Sequence, residues 1–289
     1  MKEKKFAMKS KKSKTKNKNE KILEMIKKIL NNYDEIKKCL SEERLIPYKE
    51  IAMLSPKLDI ALYNSIQLQS SLLFLPLQYL EVCLRNKINE SLYQFYRRRS
   101  FKISLPGLPE EWYKWMPTSK NTTISIKNIM RNITTNNVKG YIPTAGDIIS
   151  HLSFGTLRHI LQERPDNKDP LYFWNGIIHE IFLNTKNKKE TILQTLANIN
   201  NTRNRLFHYE PIWKTKKNNL TVENALQNIK EQYDLIYEFI GWMSIPLQNY
   251  MSTYTFMFNQ FLKSIKTLHS DLAKELKNPK LSFLLRQTQ

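Results

Sequence analysis

The sequence predicts an all-α protein: one helical domain with a basic tail before it and a helical extension after it. Three observations carry that expectation. Glycine is scarce, with six in 289 residues, whereas tight β-turns and phosphate-binding loops need it. Apolar residues recur at steps of three and four along most of the chain, the period of a buried helix face. Neither an internal repeat nor a domain-sized linker interrupts the pattern, and 41% hydrophobic content is enough for one substantial core.

Residues 1–20 hold nine lysines and two glutamates, so +7 of the net charge of +20 lies there. This segment is too polar to fold alone and is expected to be a disordered basic tail, adding non-specific affinity for polyanions through counterion release. The remaining +13 belongs to the folded part. A field of that sign makes nucleic acid the expected partner, with an anionic membrane surface as the rival. No apolar stretch follows the basic N-terminus, so it does not read as a secretory signal. The most apolar run, Leu72 to Leu77, is too short to span a bilayer, and Tyr233 to Leu247 carries Asp234 and Glu238. No membrane partner is therefore expected. Two isolated cysteines, Cys39 and Cys83, fit a reducing cytosol. Neither has neighbours at metal-ligand spacing, so no metal or other cofactor is expected.

Taken in order, Lys21 to Leu40 reads as helix, with a break near Asn31–Asn32, and a short loop runs through Pro47. Leu58 to Tyr96 is helical again, with a start or kink at Pro76. There Leu77, Leu80, Leu84, Ile88 and Leu92 form one apolar face. LPGLPEEWYKWMP reads as a packed loop, Ile124 to Ile133 as a short helix, and NNVKGYIPTAGD as turn chemistry. Asp147 is the expected N-cap of a helix IISHLSFGTLRHILQ. Gly155 within it suggests close helix packing. A helix from Glu190 to Glu210 places Ile192, Leu196, Ile199, Arg203 and Leu206 on one stripe, and Pro211 stops it. Helices over Val222 to Pro246 and Tyr254 to Leu276 complete the chain. Trp112, Trp115, Trp174 and Trp213 read as packing residues.

The chemistry concentrates in Arg203-Asn204-Arg205-Leu206-Phe207-His208. Asn204 and His208 stand one helical turn apart and share a face. Arg203 lies about 100° to one side on the apolar stripe, and its long arm can reach around. An arginine in that register is costly unless it meets an anion or a carboxylate. Histidine is the side chain suited to proton transfer near neutrality, and the guanidinium fork suits a phosphate. RNA cleavage needs a base for the ribose 2′-OH, a cation for the phosphorane oxygens and an acid for the leaving 5′-oxygen. One histidine does not supply both base and acid, whereas two copies in a dimer would. In isolation the hexapeptide fits equally a helix end carrying a dipole-complementing histidine and solvated arginines.

Three ordered segments add specificity. LYNSIQLQSSLLFLPLQYLEVCLRNKINESLYQFY, DIISHLSFGTLRHIL and ILQTLANINNTRNRLFHYEPIW resemble, in that order, the Abi-like abortive-infection family of the HEPN superfamily. The resemblance covers about residues 55–245, flanked by a helical segment over 21–54 and the extension over 246–289. It implies a HEPN-type helical bundle that pairs into homodimers. It further implies a metal-independent endoribonuclease acting as an antiphage effector or toxin, in some relatives under control of a partner RNA or protein. The superfamily motif maps onto Arg203, Asn204 and His208 as catalytic residues. Many HEPN proteins carry Tyr two residues after the histidine; here Glu210 holds that position and Tyr209 adjoins His208.

Around this core, Glu81 and Arg85 lie one turn apart beside the apolar face of their helix. Either they form a local i,i+4 ion pair, or Glu81 holds Arg203 or His208 from behind; Asn86 shares this supporting role. Arg97, Arg98 and Arg99 beside Tyr93, Phe95 and Tyr96, together with Arg205, are the expected RNA-binding side chains. Lys120, Lys127 and Arg131 read as an ordinary basic face, and His151, His159 and His179 as surface or packing residues. The competing functional class is a non-catalytic RNA-binding or regulatory helical protein with a degenerate site.

Overall fold

The structure, a computed structural model, describes residues 24, 28, 32–52, 59–100, 111–115, 120–162, 174–214 and 221–276. The basic tail over 1–20 therefore lies outside the described residues. Helices follow one another as α1 (Tyr33–Leu40), α2 (Glu42–Ala52), α3 (Asp59–Ser71), α4 (Phe74–Ser100), α5 (Trp112–Trp115), α6 (Lys120–Asn136) and α7 (Ala145–Ser150). They continue as α8 (Phe154–Gln162), α9 (Trp174–Ile181), α10 (Lys189–Phe207), α11 (Val222–Met243), α12 (Ile245–Tyr250) and α13 (Ser252–Leu276). No strand occurs among the described residues, so the all-α expectation holds. No described helix is long and apolar enough to cross a membrane.

The chain divides into two compact units. One comprises the described residues that fall within 1–71, 209–229 and 258–289, the other those within 72–208 and 230–257. In the first, α2 packs on α3 and buries Leu45, Tyr48 and Ile51. Pro47 stands inside α2, where a loop was expected. Proline in a helix interior costs about 3 kcal/mol. Full burial of Leu45 and Tyr48 on either side of it, at about 1.5–3 kcal/mol per large apolar side chain, offsets that cost. Tyr48 meets Trp213 edge-on with ring centroids 5.4 Å apart, and Asn228 donates to the Trp213 carbonyl at 2.8 Å. Asp59 is fully buried at the start of α3, held by the Tyr33 hydroxyl at 3.0 Å and the Ile60 amide at 2.7 Å. Burial raises its carboxyl above the usual range, and burial together with Asp59 pushes the Tyr33 phenol up to about 12.

The second unit is organised on α4. Leu77, Leu80, Leu84, Ile88 and Leu92, the face read from the sequence, are all buried there. This helix packs against α5, α7, α8 and α9, and α10, whose Ile192, Leu196 and Ile199 are buried, packs against α8. The Trp112 indole is buried and donates to Asn89 Oδ1 at 2.8 Å, anchoring the single turn of α5 to α4. Trp115 and Trp174 fall among side chains outside those described.

Three local expectations change. The stretch over 147–162 is two helices, and its first N-cap is Thr144 instead of Asp147. A cap side chain must sit before the helix to reach the third amide. Thr144 Oγ1 does so, accepting from the Asp147 amide at 3.2 Å, while the Asp147 carboxylate accepts from the Thr144 amide at 2.8 Å. Those bonds, led by the one from the Tyr141 hydroxyl, lower the Asp147 carboxyl to about 2. After the break, Ser153 Oγ receives the Thr156 amide at 3.2 Å, leaving the Leu152 carbonyl free for another partner. Gly155 marks no close packing, since a Cβ there would meet nothing nearer than Ser153 Oγ at 3.8 Å. Finally, α11 ends at Met243 and not at Pro246. Ser244 caps α12, and Pro246 lies in that helix's first turn, where a missing amide hydrogen costs nothing.

Candidate functional site

A cleft of about 410 Å³ opens between α4 and α10, lined by Glu81 and Arg85 from one and Arg203 and Phe207 from the other. Glu81 Oε1 accepts from Arg85 Nη2 at 3.0 Å, and its other oxygen faces Arg203 Nη2 at 3.8 Å. Both arrangements weighed from the sequence are thus present: the i,i+4 pair and the long-range contact to Arg203. The longer distance is an ion pair without a direct hydrogen bond. Arg85 Nη2 also donates to the Leu152 carbonyl at 2.9 Å, the group released by the break between α7 and α8. Three segments distant in sequence therefore meet around two guanidinium groups and one carboxylate, all half-buried or better.

Arg203 is held from a second side. Its guanidinium carbon lies 4.4 Å from the centroid of the Phe207 ring, and that ring meets Phe74 edge-on at 5.1 Å. The Arg203–Phe207 spacing of four residues was legible as an i,i+4 cation–aromatic pair, though the sequence reading attached no role to Phe207. Phe74 carried no such signal, because only packing brings α4 to the end of α10.

His208 is where the helix expectation needs correction. α10 stops at Phe207, and His208 is its C-cap, with φ −92° and ψ 7°. The His208 amide still bonds the Asn204 carbonyl at 3.0 Å, so the one-turn relation between the two residues survives. Both side chains are exposed, and Asn204 Oδ1 lies 3.4 Å from Arg203 Nη1. The helix ends before Pro211 because Tyr209 takes a left-handed conformation, φ 58°. That conformation is the usual way to close a helix, but a tyrosine there carries about 1–2 kcal/mol of strain. Within the first compact unit, the Tyr209 carbonyl accepts from Arg44 Nη1 at 2.8 Å and from Gln67 Nε2 at 3.3 Å, which offsets part of it. Because the Tyr209 side chain is exposed, backbone strain dominates its substitutions. Tyr209→Ile is expected to lower stability by about 1–2 kcal/mol, while Tyr209→Gly leaves it unchanged or slightly raised. Urea midpoints would measure both, and equal losses in the two variants would contradict the strain.

The other expected residues fall apart from this cluster. Asn86 is exposed and lines a separate groove with Cys83 and Lys87, so it does not join Glu81 behind Arg203. Arg98 is paired with Glu180 at 2.6 Å, Arg97 is exposed, and the Arg99 side chain is outside those described. Tyr96 is buried, so it presents no face for stacking. Arg205 is half-buried on α10. Lys127, Arg131, His151, His159 and His179 are exposed, and the Lys120 side chain is outside those described. Among the described residues no three His, Cys, Asp or Glu side chains gather as metal ligands would.

In comparisons with known proteins, no family model, curated protein or solved structure matches the chain.

Proposed function

We propose that this protein is a metal-independent endoribonuclease of HEPN type, an Abi-like antiphage effector or toxin that works as a homodimer. The observation that supports this reading best is Arg203. It is lodged at a cleft, steadied by Glu81 and Phe207, with His208 five residues further on at an exposed helix end.

In the proposed reaction the ribose 2′-oxygen attacks the adjacent phosphorus, and the bond to the 5′-oxygen breaks. The 2′-OH proton passes to one His208, and the His208 of the second copy protonates the leaving oxygen. Arg203 neutralises charge on the non-bridging oxygens, and Asn204 orients the histidine or donates to the phosphate. The high positive charge of the chain concentrates RNA near the cleft, and a small RNA could equally act as a regulator there. Glu81 on α4 and Phe207 on its own helix both approach the Arg203 guanidinium and hold it at the cleft.

The test is direct. Purified protein with single-stranded RNA in excess EDTA should yield fragments ending in 2′,3′-cyclic phosphate and 5′-OH, while RNA with a 2′-deoxy sugar at the cleaved position should bind intact. Sedimentation should report a dimer at micromolar concentration. RNA bound but left whole under all conditions would replace the enzyme with a non-catalytic RNA-binding protein, and a strict monomer that cleaves would remove the shared-histidine mechanism.

A further inference from the structure

The cleft beside Arg203 offers more than a phosphate needs. Its volume of about 410 Å³ is in the range of small-ligand sites. Phe74, Val82 and Phe207 line it and remain 37%, 42% and 48% exposed. Two aromatic rings and a valine thus stand partly open beside two arginines in one cleft. Among the described residues lining the cleft, Arg85 and Arg203 face one carboxylate, that of Glu81.

Aromatic rings next to guanidinium groups match the two halves of a nucleotide. A base has an apolar face for the rings, and its phosphate has oxygens for the arginines. We propose that this cleft seats one unpaired nucleotide of single-stranded RNA, its base against Phe74 and Phe207 and its phosphate at Arg85 and Arg203. This deepens the nuclease reading and rests on it only in taking Arg203 to face RNA. Single-stranded RNA is the class that fits, because in a duplex the base faces are already stacked and closed to a protein ring. Phe207 sets which strands can enter, and Arg85 is a second phosphate contact besides Arg203.

The experiment compares base and backbone in the full-length His208→Ala protein, so that nothing is cut. Its probes are a labelled oligouridylate and an abasic ribose-phosphate chain of the same length. Phe207→Leu should weaken oligouridylate binding by about 5- to 150-fold, the effect of losing one base–aromatic contact, and weaken the abasic chain clearly less, by only what the lost support of Arg203 contributes. Phe207→Tyr should restore the affinity, and Phe74→Leu should show the same selective loss, with circular dichroism confirming that each variant is folded. Equal losses on both probes, or none on either, would overturn the nucleotide seat. So would a Phe207→Leu protein whose sedimenting mass falls while its RNA affinity holds, because a second copy would then cover the rings. Base-dependent binding beside a wild-type protein that never cleaves RNA would keep the seat and discard the nuclease, whereas wild-type cleavage without base-dependent binding would do the reverse.

Discussion

His208→Ala is expected to slow RNA cleavage by roughly 10²–10⁴-fold, the contribution of one positioned proton-transfer group. The loss should appear in the single-turnover rate at saturating protein, since an imidazole that moves protons adds little to binding. His208 is exposed at the end of α10, so truncation removes little buried surface, and stability should change by no more than about 0.5 kcal/mol. Circular dichroism and sedimentation should therefore match wild type. Arg203→Ala should also slow the reaction, but it removes the Glu81 ion pair and the Phe207 contact as well. Its effect mixes chemistry with packing, and Arg203→Lys helps to divide them: it keeps the charge near Glu81 and loses the planar fork. A folded, dimeric His208→Ala protein that cleaves at the wild-type rate would refute the catalytic assignment.

The largest stability effect is expected at Trp213. Its side chain is fully buried against Tyr48, itself buried, and its carbonyl is tied to Asn228. Trp213→Ala should cost about 3–5 kcal/mol, from lost transfer energy and the cavity left among rigid neighbours. Against a typical stability of about 5–15 kcal/mol, that is a large share. Trp213→Phe should cost distinctly less, because it keeps an aromatic edge for Tyr48. Guanidinium unfolding of the three proteins would measure the series. A loss below about 1 kcal/mol for Trp213→Ala would mean that the site collapses freely or that the indole is not packed.

Much of the fold was legible because burial on a helix leaves a period. The α4 face from Leu77 to Leu92 and the α10 stripe through Ile192, Leu196, Ile199 and Leu206 are buried as their spacing implies. Boundaries were less legible. Pro47 within α2, the split of 145–162 into α7 and α8, and the stop at Phe207 each depend on partners remote in sequence. A proline is tolerated when its helix buries Leu45 and Tyr48. A carbonyl at a break is tolerated when Arg85 reaches it. A left-handed tyrosine is tolerated when Arg44 and Gln67 bind its oxygen.

The candidate site divides in the same way. The sequence by itself determined which residue types are candidates for chemistry: Arg203 and His208 five positions apart, Asn204 one turn before the histidine, and Glu81 one turn before Arg85. Only the tertiary structure decided that Glu81 faces both arginines, that Phe74 reaches Phe207, and that Asn86 lies on another groove. Helical spacing fixes which side chains share a face of one helix. Which face of another helix they meet depends on the packing of whole apolar stripes, and that information is spread over the core instead of being written in any one motif.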